Sequence, residues 1–247
     1  MGERVWGRLG DRRAGAWPLA SPPGSVWVCL GEAGSGKTEL AVNLALALRE
    51  QGEAPVRLFD MDCSKGAFRS RDAAPQLREA GVALRHGAAP LDSPVVPDGL
   101  AAFLGEEDGQ TILDVGGNLA GVLSLGQFRK ELREAGARGL YLINPYRSFA
   151  PMNPGELGYR LEKIREAAGL SKVILAANPA LGEETDAAAW EAGLRRLQRE
   201  LGKPPPGLGL ALYPRWMPPP DCGLPAFGLD PWVGRISNGK EGGGQWL

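Results

Sequence analysis

The sequence has few of the residues that ligate metals or cross-link secreted domains. Its 247 residues include three cysteines, Cys29, Cys63 and Cys222, and one histidine, His86. An odd number of well-separated cysteines gives neither a disulfide framework nor a C-x-x-C metal pair, and this favours a reducing compartment. A single histidine at a predicted strand end is typical of a structural role. We therefore expect a cytoplasmic protein without a disulfide framework.

The chain also lacks an excess of charge and a long apolar run. Its formal net charge is −1, so it has no global positive field that would hold nucleic acid. No apolar run approaches the roughly 20 residues of a membrane-spanning helix. Arg12-Arg13 is followed by a short segment that glycine and prolines interrupt, unlike an export signal. We expect no nucleic-acid binding through bulk charge and no membrane insertion.

One motif dominates what is present. The run from Gly31 to Thr38, GEAGSGKT, fits G-x-x-x-x-G-K-[ST] between an apolar strand-like run, 26–30, and a helical pattern, 39–50. Its glycines let backbone N–H groups point at a β-phosphate, Lys37 reaches the β/γ oxygens and Thr38 ligates Mg²⁺. The start of the helix adds a positive dipole end. The predicted nucleotide-contacting residues here are Gly31, Gly34, Ser35, Gly36, Lys37, Thr38 and Glu39.

Short β-rich runs alternate with helical patterns from residue 26 onward, which predicts a three-layer α/β/α fold with a mostly parallel central sheet. The predicted strands are 26–30, 56–60, 111–115, 140–143, 172–177 and 208–213, and the predicted helices are 37–51, 73–80, 125–135, 156–168 and 186–201. The proline-containing segment 86–99 is expected to be irregular. We expect a flexible N-terminal arm (1–24), a nucleotide-binding domain (25–214) and a Pro/Gly-rich C-terminal tail (215–247).

Two further strand ends carry carboxylates. The run TILDVGG predicts a Walker B strand in which Asp114 holds the Mg²⁺ hydration shell and Gly116-Gly117 senses the γ-phosphate. Asp60 and Asp62 follow the neighbouring strand, and ligands bind at the carboxyl edge of open parallel sheets. Either Asp could instead cap the next turn. The basic segment 65–71 could neutralise a triphosphate or pair with surface carboxylates.

With these residues the chain resembles the SIMIBI class of P-loop NTPases, specifically the CobQ/CobB/MinD/ParA-type nucleotide-binding domains. It is especially similar to a bacterial group of them described only as ATP-binding proteins. The matching segments are GEAGSGKTELAVNLALAL, LFDMDCSKGAFRSRDA, ILDVGG, YLINPYRSF and VILAANPALGEET, which span residues 26 to about 186.

The resemblance implies roles for single residues. Asp62 would be the switch I aspartate near Mg²⁺ and the attacking water, Asp114 the switch II aspartate, and Asn178 the asparagine that hydrogen-bonds adenine; Asn178 could instead be a turn residue before Pro179. The sequence at 178–181 is NPAL rather than the guanine-reading N-K-x-D, which favours ATP over GTP. Lys37, Asp62 and Asp114 are thus the expected catalytic residues, and Thr38, Asp62 and Asp114 the expected metal ligands.

One position departs from the family pattern. Many MinD/ParA-type proteins carry a lysine where this chain has Glu32, and that lysine reaches the partner's phosphates in an ATP-sandwich dimer. A carboxylate cannot stabilise phosphate charge, so such a homodimer is not expected unless Lys65, Arg69 or Arg71 substitutes.

The expected function is that of a Mg·ATP-binding ATPase, which hydrolyses ATP to ADP and acts as a switch on a protein partner. The alternatives are a small-molecule kinase or ATP-dependent ligase, and a module that binds nucleotide without turnover.

Overall fold

The described part of the chain forms one parallel β-sheet covered by helices on both faces. The computed structural model describes residues 16–62, 69–87, 99–116, 119–203 and 205–233. The strands are β1 Val26–Gly31, β2 Val56–Asp60, β3 Val82–His86, β4 Gln110–Asp114, β5 Arg138–Ile143, β6 Lys172–Ala177, β7 Leu208–Pro214 and β8 Ala226–Leu229. The helices are α1 Lys37–Gln51, α2 Ala74–Glu79, α3 Leu100–Leu104, α4 Leu119–Leu125, α5 Arg129–Glu134, α6 Pro154–Ala168 and α7 Ala187–Leu201. Short 3-10 turns span Ser70–Ala73, Gly126–Phe128 and Gly182–Glu184.

The strand order across the described sheet is β3-β2-β4-β1-β5-β6-β7-β8, and every neighbouring pair is parallel. The predicted three-layer α/β/α class is therefore confirmed. Because all strands point the same way, the residues that follow β1, β2, β4, β5 and β6 meet at one carboxyl edge. That edge holds most of the residues predicted to be functional.

The two faces of the sheet bury separate hydrophobic clusters. Successive strand side chains point to opposite faces, so Val28 and Leu30 of β1 join one cluster while Trp27 and Cys29 join the other. The first cluster is covered by α3, α5, α6 and α7, and the second by α1 and α2. Between positions 40 and 48, α1 is buried on all sides, which fixes its N-terminal end against the sheet edge.

All six predicted strands are present, but the structure adds β3 and β8. β3 lies at an edge of the sheet and buries only Val82, so its sequence lacks the apolar run of an internal strand. The predicted helix 125–135 is divided into a 3-10 turn and α5, after the separate helix α4, and α3 is a further short helix.

The packed structure extends beyond the predicted domain limits at residues 24 and 214. Trp17 is 5% exposed and its ring meets those of Trp27 and Phe227 edge-on, at centroid distances of 5.3 and 5.0 Å. β8 pairs with β7 as the last strand of the sheet. Residues 17–24 therefore pack on the domain instead of forming a free arm, and part of the predicted tail is a strand. In the described ranges, no helix combines the length and the apolar character needed to cross a bilayer.

Candidate functional site

The P-loop, Gly31–Thr38 between β1 and α1, has the backbone conformation that its glycines predict. Gly31, Gly34 and Gly36 have φ values of 136°, 72° and 100°, which residues with a Cβ rarely adopt. A Cβ on Gly31 would lie 2.4 Å from the Leu142 carbonyl oxygen, and one on Gly36 would lie 2.5 Å from Asn178 Nδ2. These positions thus require glycine both for the backbone turn and for the close approach of neighbouring elements.

Two polar side chains of this loop are buried. Lys37 is 6% exposed, and its ammonium donates to the Glu32 carbonyl oxygen at 3.0 Å. Burial lowers the pKa of Lys37, and the charge of Asp114 opposes that effect. Ser35 is 2% exposed, and its Oγ has no hydrogen-bond partner in the described part of the chain. A buried hydroxyl without a partner is costly, so this atom is suited to a hydrogen bond with a polar ligand of the loop.

Asp114 ends β4 beside the P-loop strand, in register with Cys29 of β1 and Asp60 of β2. It is 1% exposed, and its Oδ2 accepts from the Ser70 hydroxyl at 2.6 Å. Its Oδ1 has no hydrogen-bond partner among the described residues. Burial raises the pKa of Asp114 to about 7, while the Ser70 hydroxyl and the Lys37 ammonium act in the opposite direction.

The two aspartates after β2 have different surroundings. Asp60 is 4% exposed; its Oδ2 lies 3.4 Å from Arg71 Nε and its Oδ1 accepts from the Asp62 backbone N–H at 3.2 Å. Burial raises the pKa of Asp60, and Arg71 opposes this. Asp62 is partly exposed, and its charge raises the pKa of Lys37, so it lies within electrostatic range of the P-loop. The role of Asp62 near Mg²⁺ and the attacking water stays a prediction.

The oxygen atoms around Asp114 fit Mg²⁺. No group of three or more His, Cys, Asp or Glu side chains able to hold a metal occurs in the ranges described. Mg²⁺ does not need such a group, because it is usually bound through one or two carboxylates together with substrate phosphates and water. The partnerless Asp114 Oδ1 and the nearby Thr38 hydroxyl, which favours the ionised carboxylate, are suitable protein ligands.

Asn178 follows β6 and contacts the P-loop directly. Its Nδ2 donates to the Ser35 carbonyl oxygen at 2.8 Å in a buried hydrogen bond. The resemblance predicts an adenine contact for this side chain, whereas the contact present here is with the loop itself. Asn178 therefore positions the loop, and the alternative of a simple turn residue before Pro179 does not describe it. The adenine contact stays a prediction.

The Glu39 side chain contacts the last described residues of the chain, and its predicted nucleotide contact stays a prediction. Its carboxylate accepts from the backbone N–H groups of Trp232 at 2.5 Å and of Val233 at 3.2 Å. Asn43, one turn later on α1, exchanges two hydrogen bonds with the Asp230 backbone, both at 2.9 Å. Glu39 and Asn43 thus hold the segment 230–233 against the first turns of α1.

The Glu32 side chain is paired within the chain. Its carboxylate accepts from the Tyr141 hydroxyl at 3.1 Å and forms an ion pair with Arg160 of α6. Burial raises the pKa of Tyr141, and the charge of Glu32 adds to this. Arg160 therefore compensates the negative charge that Glu32 brings into the P-loop.

Sequence reasoning missed two contacts at this edge. Arg147, in the loop after β5, donates from Nε to the Gly34 carbonyl oxygen at 3.1 Å. Ser70 bonds Asp114, as described above. The signal for Arg147 was a basic residue just after the end of a strand, within the segment YLINPYRSF. No sequence pattern marked Ser70 as a partner of Asp114, because serines outside any motif are common in loops.

Some predicted residues lie outside the described ranges. These are Gly117 of the γ-phosphate sensor, Cys63, Lys65 and most of the segment 86–99. Of the other proposed substitute cations, Arg71 pairs with Asp60, and the Arg69 backbone N–H donates to Asp72 Oδ2 at 2.9 Å.

Comparison with protein-family models and with curated protein sequences finds no match. Among solved structures, the chain is similar to the signal recognition particle receptor FtsY from Elizabethkingia anophelis in complex with GDP. The identity is 18% and the TM-score 0.37, over 68% of this chain and 53% of that one. A GTPase in apo form from Pyrococcus abyssi matches at 15% identity and a TM-score of 0.43, over 78% and 91%.

The signal recognition particle 54 kDa protein from Aeropyrum pernix K1, in complex with GDP, matches at 15% identity and a TM-score of 0.35, over 82% of this chain and 37% of that one. The chain spans about half the length of the FtsY structures that it matches. These similarities are too low to assign a nucleotide or a partner to this chain.

Proposed function

We propose that the protein is a Mg·ATP-binding P-loop ATPase that acts as a nucleotide-dependent switch on a protein partner in the cytoplasm. The observation that supports this most strongly is the pair of buried polar atoms that have no partner among the described residues, Ser35 Oγ of the P-loop and Asp114 Oδ1 at the end of the neighbouring strand. A phosphate group and its metal ion would satisfy both atoms, which is why a strand-to-helix turn without a ligand explains the site less well.

Each residue has a defined task in this proposal. The backbone N–H groups of the loop and the start of α1 bind the β-phosphate, and Lys37 neutralises the β/γ oxygens. Thr38 and Asp114 would hold Mg²⁺, which supplies charge neutralisation between the β- and γ-phosphates. Asp62 orients the water that attacks the γ-phosphate. Asn178 keeps the loop in place through its bond to Ser35.

ATP is proposed over GTP because the segment NPAL at 178–181 lacks the lysine and the aspartate of the guanine-reading motif N-K-x-D. The switch is proposed because Asp62, just after β2, and Asp114, at the end of β4, both lie at the carboxyl edge of the sheet near the P-loop strand, and because the resemblance implies switch aspartates at these two positions. A γ-phosphate bound at this edge would then change the surface offered to a partner.

The test compares Asp62→Asn with Asp60→Asn and with the wild-type protein. Phosphate release from Mg·ATP and from Mg·GTP is measured beside nucleotide binding. Asp62→Asn should bind ATP normally and lose turnover, since it keeps the phosphate loop and removes only the group that orients water. Normal turnover in Asp62→Asn with loss in Asp60→Asn would move the role to Asp60.

The kinase or ligase alternative gives a different result in the same assay. A switch should hydrolyse ATP slowly alone, because a missing partner cation can be worth about 10³-fold or more in rate. A high basal rate, or strong activation by a small carboxylate or amine, would favour the alternative. Nucleotide binding without any phosphate release would favour a module without turnover.

A further inference from the structure

The loop after β5 is fixed before it reaches the P-loop. The Asn144 side chain donates to the Ala180 carbonyl oxygen at 2.9 Å and accepts from the Tyr146 backbone N–H at 3.0 Å. The Tyr146 hydroxyl donates to the Ala189 carbonyl oxygen of α7. The next residue, Arg147, is therefore held at the sheet edge on a backbone that hydrogen bonds support from both sides.

Arg147 lies directly on the P-loop. Its Nε donates to the Gly34 carbonyl oxygen at 3.1 Å, and its Nε and Cζ would be 3.4 and 3.8 Å from a Cβ built on Gly34. Arginine has five N–H donors, so a bond through Nε leaves four on the two terminal nitrogens. In the described part of the chain these nitrogens form no ion pair with a carboxylate. The charge thus stands uncompensated beside the loop that cradles phosphate.

The other arginines near this edge differ in this respect. Arg160 pairs with Glu32 and Glu156, and Arg71 pairs with the buried Asp60. Their charges are already balanced by carboxylates within the chain. Among these three arginines, Arg147 combines a direct P-loop contact with an unpaired guanidinium.

We propose that Arg147 binds the phosphate chain of the nucleotide from within the same subunit. This inference rests on the proposed function and names a residue that the P-loop motif does not include. The guanidinium supplies, from the loop after β5, the second cation that position 32 cannot supply because it is a glutamate. Arginine suits this place because its planar donor array can bond the loop carbonyl and phosphate oxygens at the same time.

The test is a titration of fluorescently labelled ATP, with Mg²⁺, into the wild-type protein and the variants Arg147→Ala, Arg147→Lys and Arg147→Gln. Arg147→Ala should bind about tenfold more weakly, as expected when a charged hydrogen bond is lost. Arg147→Lys keeps the charge and should recover part of the affinity. Arg147→Gln keeps an N–H donor for Gly34 without the charge, and should resemble Arg147→Ala.

Salt provides a readout that a purely structural role would not move. The affinity of the wild-type protein should fall more steeply with KCl than that of Arg147→Ala, because the variant has one charge fewer at the phosphates. Arg195→Ala, an exposed arginine paired with Glu191 on α7, is the control and should behave as the wild type.

Three results would overturn the proposal. Unchanged affinity in Arg147→Ala, full recovery in Arg147→Gln, or equal salt dependence in wild type and Arg147→Ala would each limit Arg147 to loop support. Lys37→Ala separates this failure from that of the proposed function. Wild-type binding that Lys37→Ala abolishes and Arg147→Ala leaves intact would refute only the role of Arg147. A wild-type protein that binds no nucleotide would refute both.

Discussion

Replacing Asp114 with asparagine is expected to flatten the dependence of the free energy of unfolding on pH. In the folded chain without nucleotide or Mg²⁺, burial raises the pKa of Asp114 from its ordinary value of 3.8 to about 7. Between these two values the folded state binds a proton that the unfolded state has released. The contribution of Asp114 to stability therefore falls as pH rises from 4 to about 7, and is lowest above that.

The size of the effect follows from the pKa difference. One pH unit of difference corresponds to about 1.4 kcal/mol, so the fully buried carboxylate costs at most about 4 kcal/mol at pH 8 relative to pH 4. Asparagine has no charge to desolvate, and it can still accept from the Ser70 hydroxyl. Its buried NH₂ group needs a partner, which lowers the stability of the variant by a constant amount at every pH.

The measurement is urea denaturation at several pH values between 4 and 8, with a chelator and without nucleotide. The wild-type protein should lose stability relative to Asp114→Asn as the pH rises, by up to about 4 kcal/mol over the range. Asp221→Asn, the same chemical change at an exposed position, is the control and should follow the wild-type curve. Parallel curves for wild type and Asp114→Asn would contradict the assignment of a buried, destabilised carboxylate.

Two further substitutions test the loop and the C-terminal contact. Gly36→Ala should abolish nucleotide binding and lower the free energy of unfolding by about 2 kcal/mol or more, since its φ is 100° and the new Cβ would meet Asn178. The control Gly182→Ala, with a φ of 69° and open space around it, should lower the free energy of unfolding by only about 1 kcal/mol. Equal losses of stability in the two variants would argue against the steric reason. Glu39→Gln should lower stability by about 1–2 kcal/mol in urea denaturation, because Glu39 holds the Trp232 backbone, while leaving ATP affinity unchanged. Weaker ATP binding at unchanged stability would instead support the predicted nucleotide contact of Glu39.

The elements predicted well are those whose signals are local. β1, the P-loop and α1 follow one another in 26 residues, and their apolar run, glycines and helical spacing can be seen without knowing the rest of the chain. β8 could not be found in this way. It is only four residues long, contains a glycine, and is a strand only because it pairs with β7.

The same distinction applies to the site. Lys37 and Thr38 belong to a motif, and Asp114 ends a buried apolar strand. By contrast, Asn178 meets Ser35 across 143 positions, Arg147 meets Gly34 across 113, and Glu39 meets Trp232 across 193. Contacts of this kind depend on the strand order of the sheet, and local patterns in a single sequence do not reveal that order.

The most direct test of the central claim is a calorimetric titration of Mg·ATP into the wild-type protein and into Lys37→Ala. Circular dichroism of both proteins establishes beforehand that the variant is folded. We predict saturable binding of one ATP per chain to the wild type, weaker binding when Mg²⁺ is removed, and none to folded Lys37→Ala. Equal ATP binding by the two proteins, or no nucleotide binding by the wild type, would contradict the account.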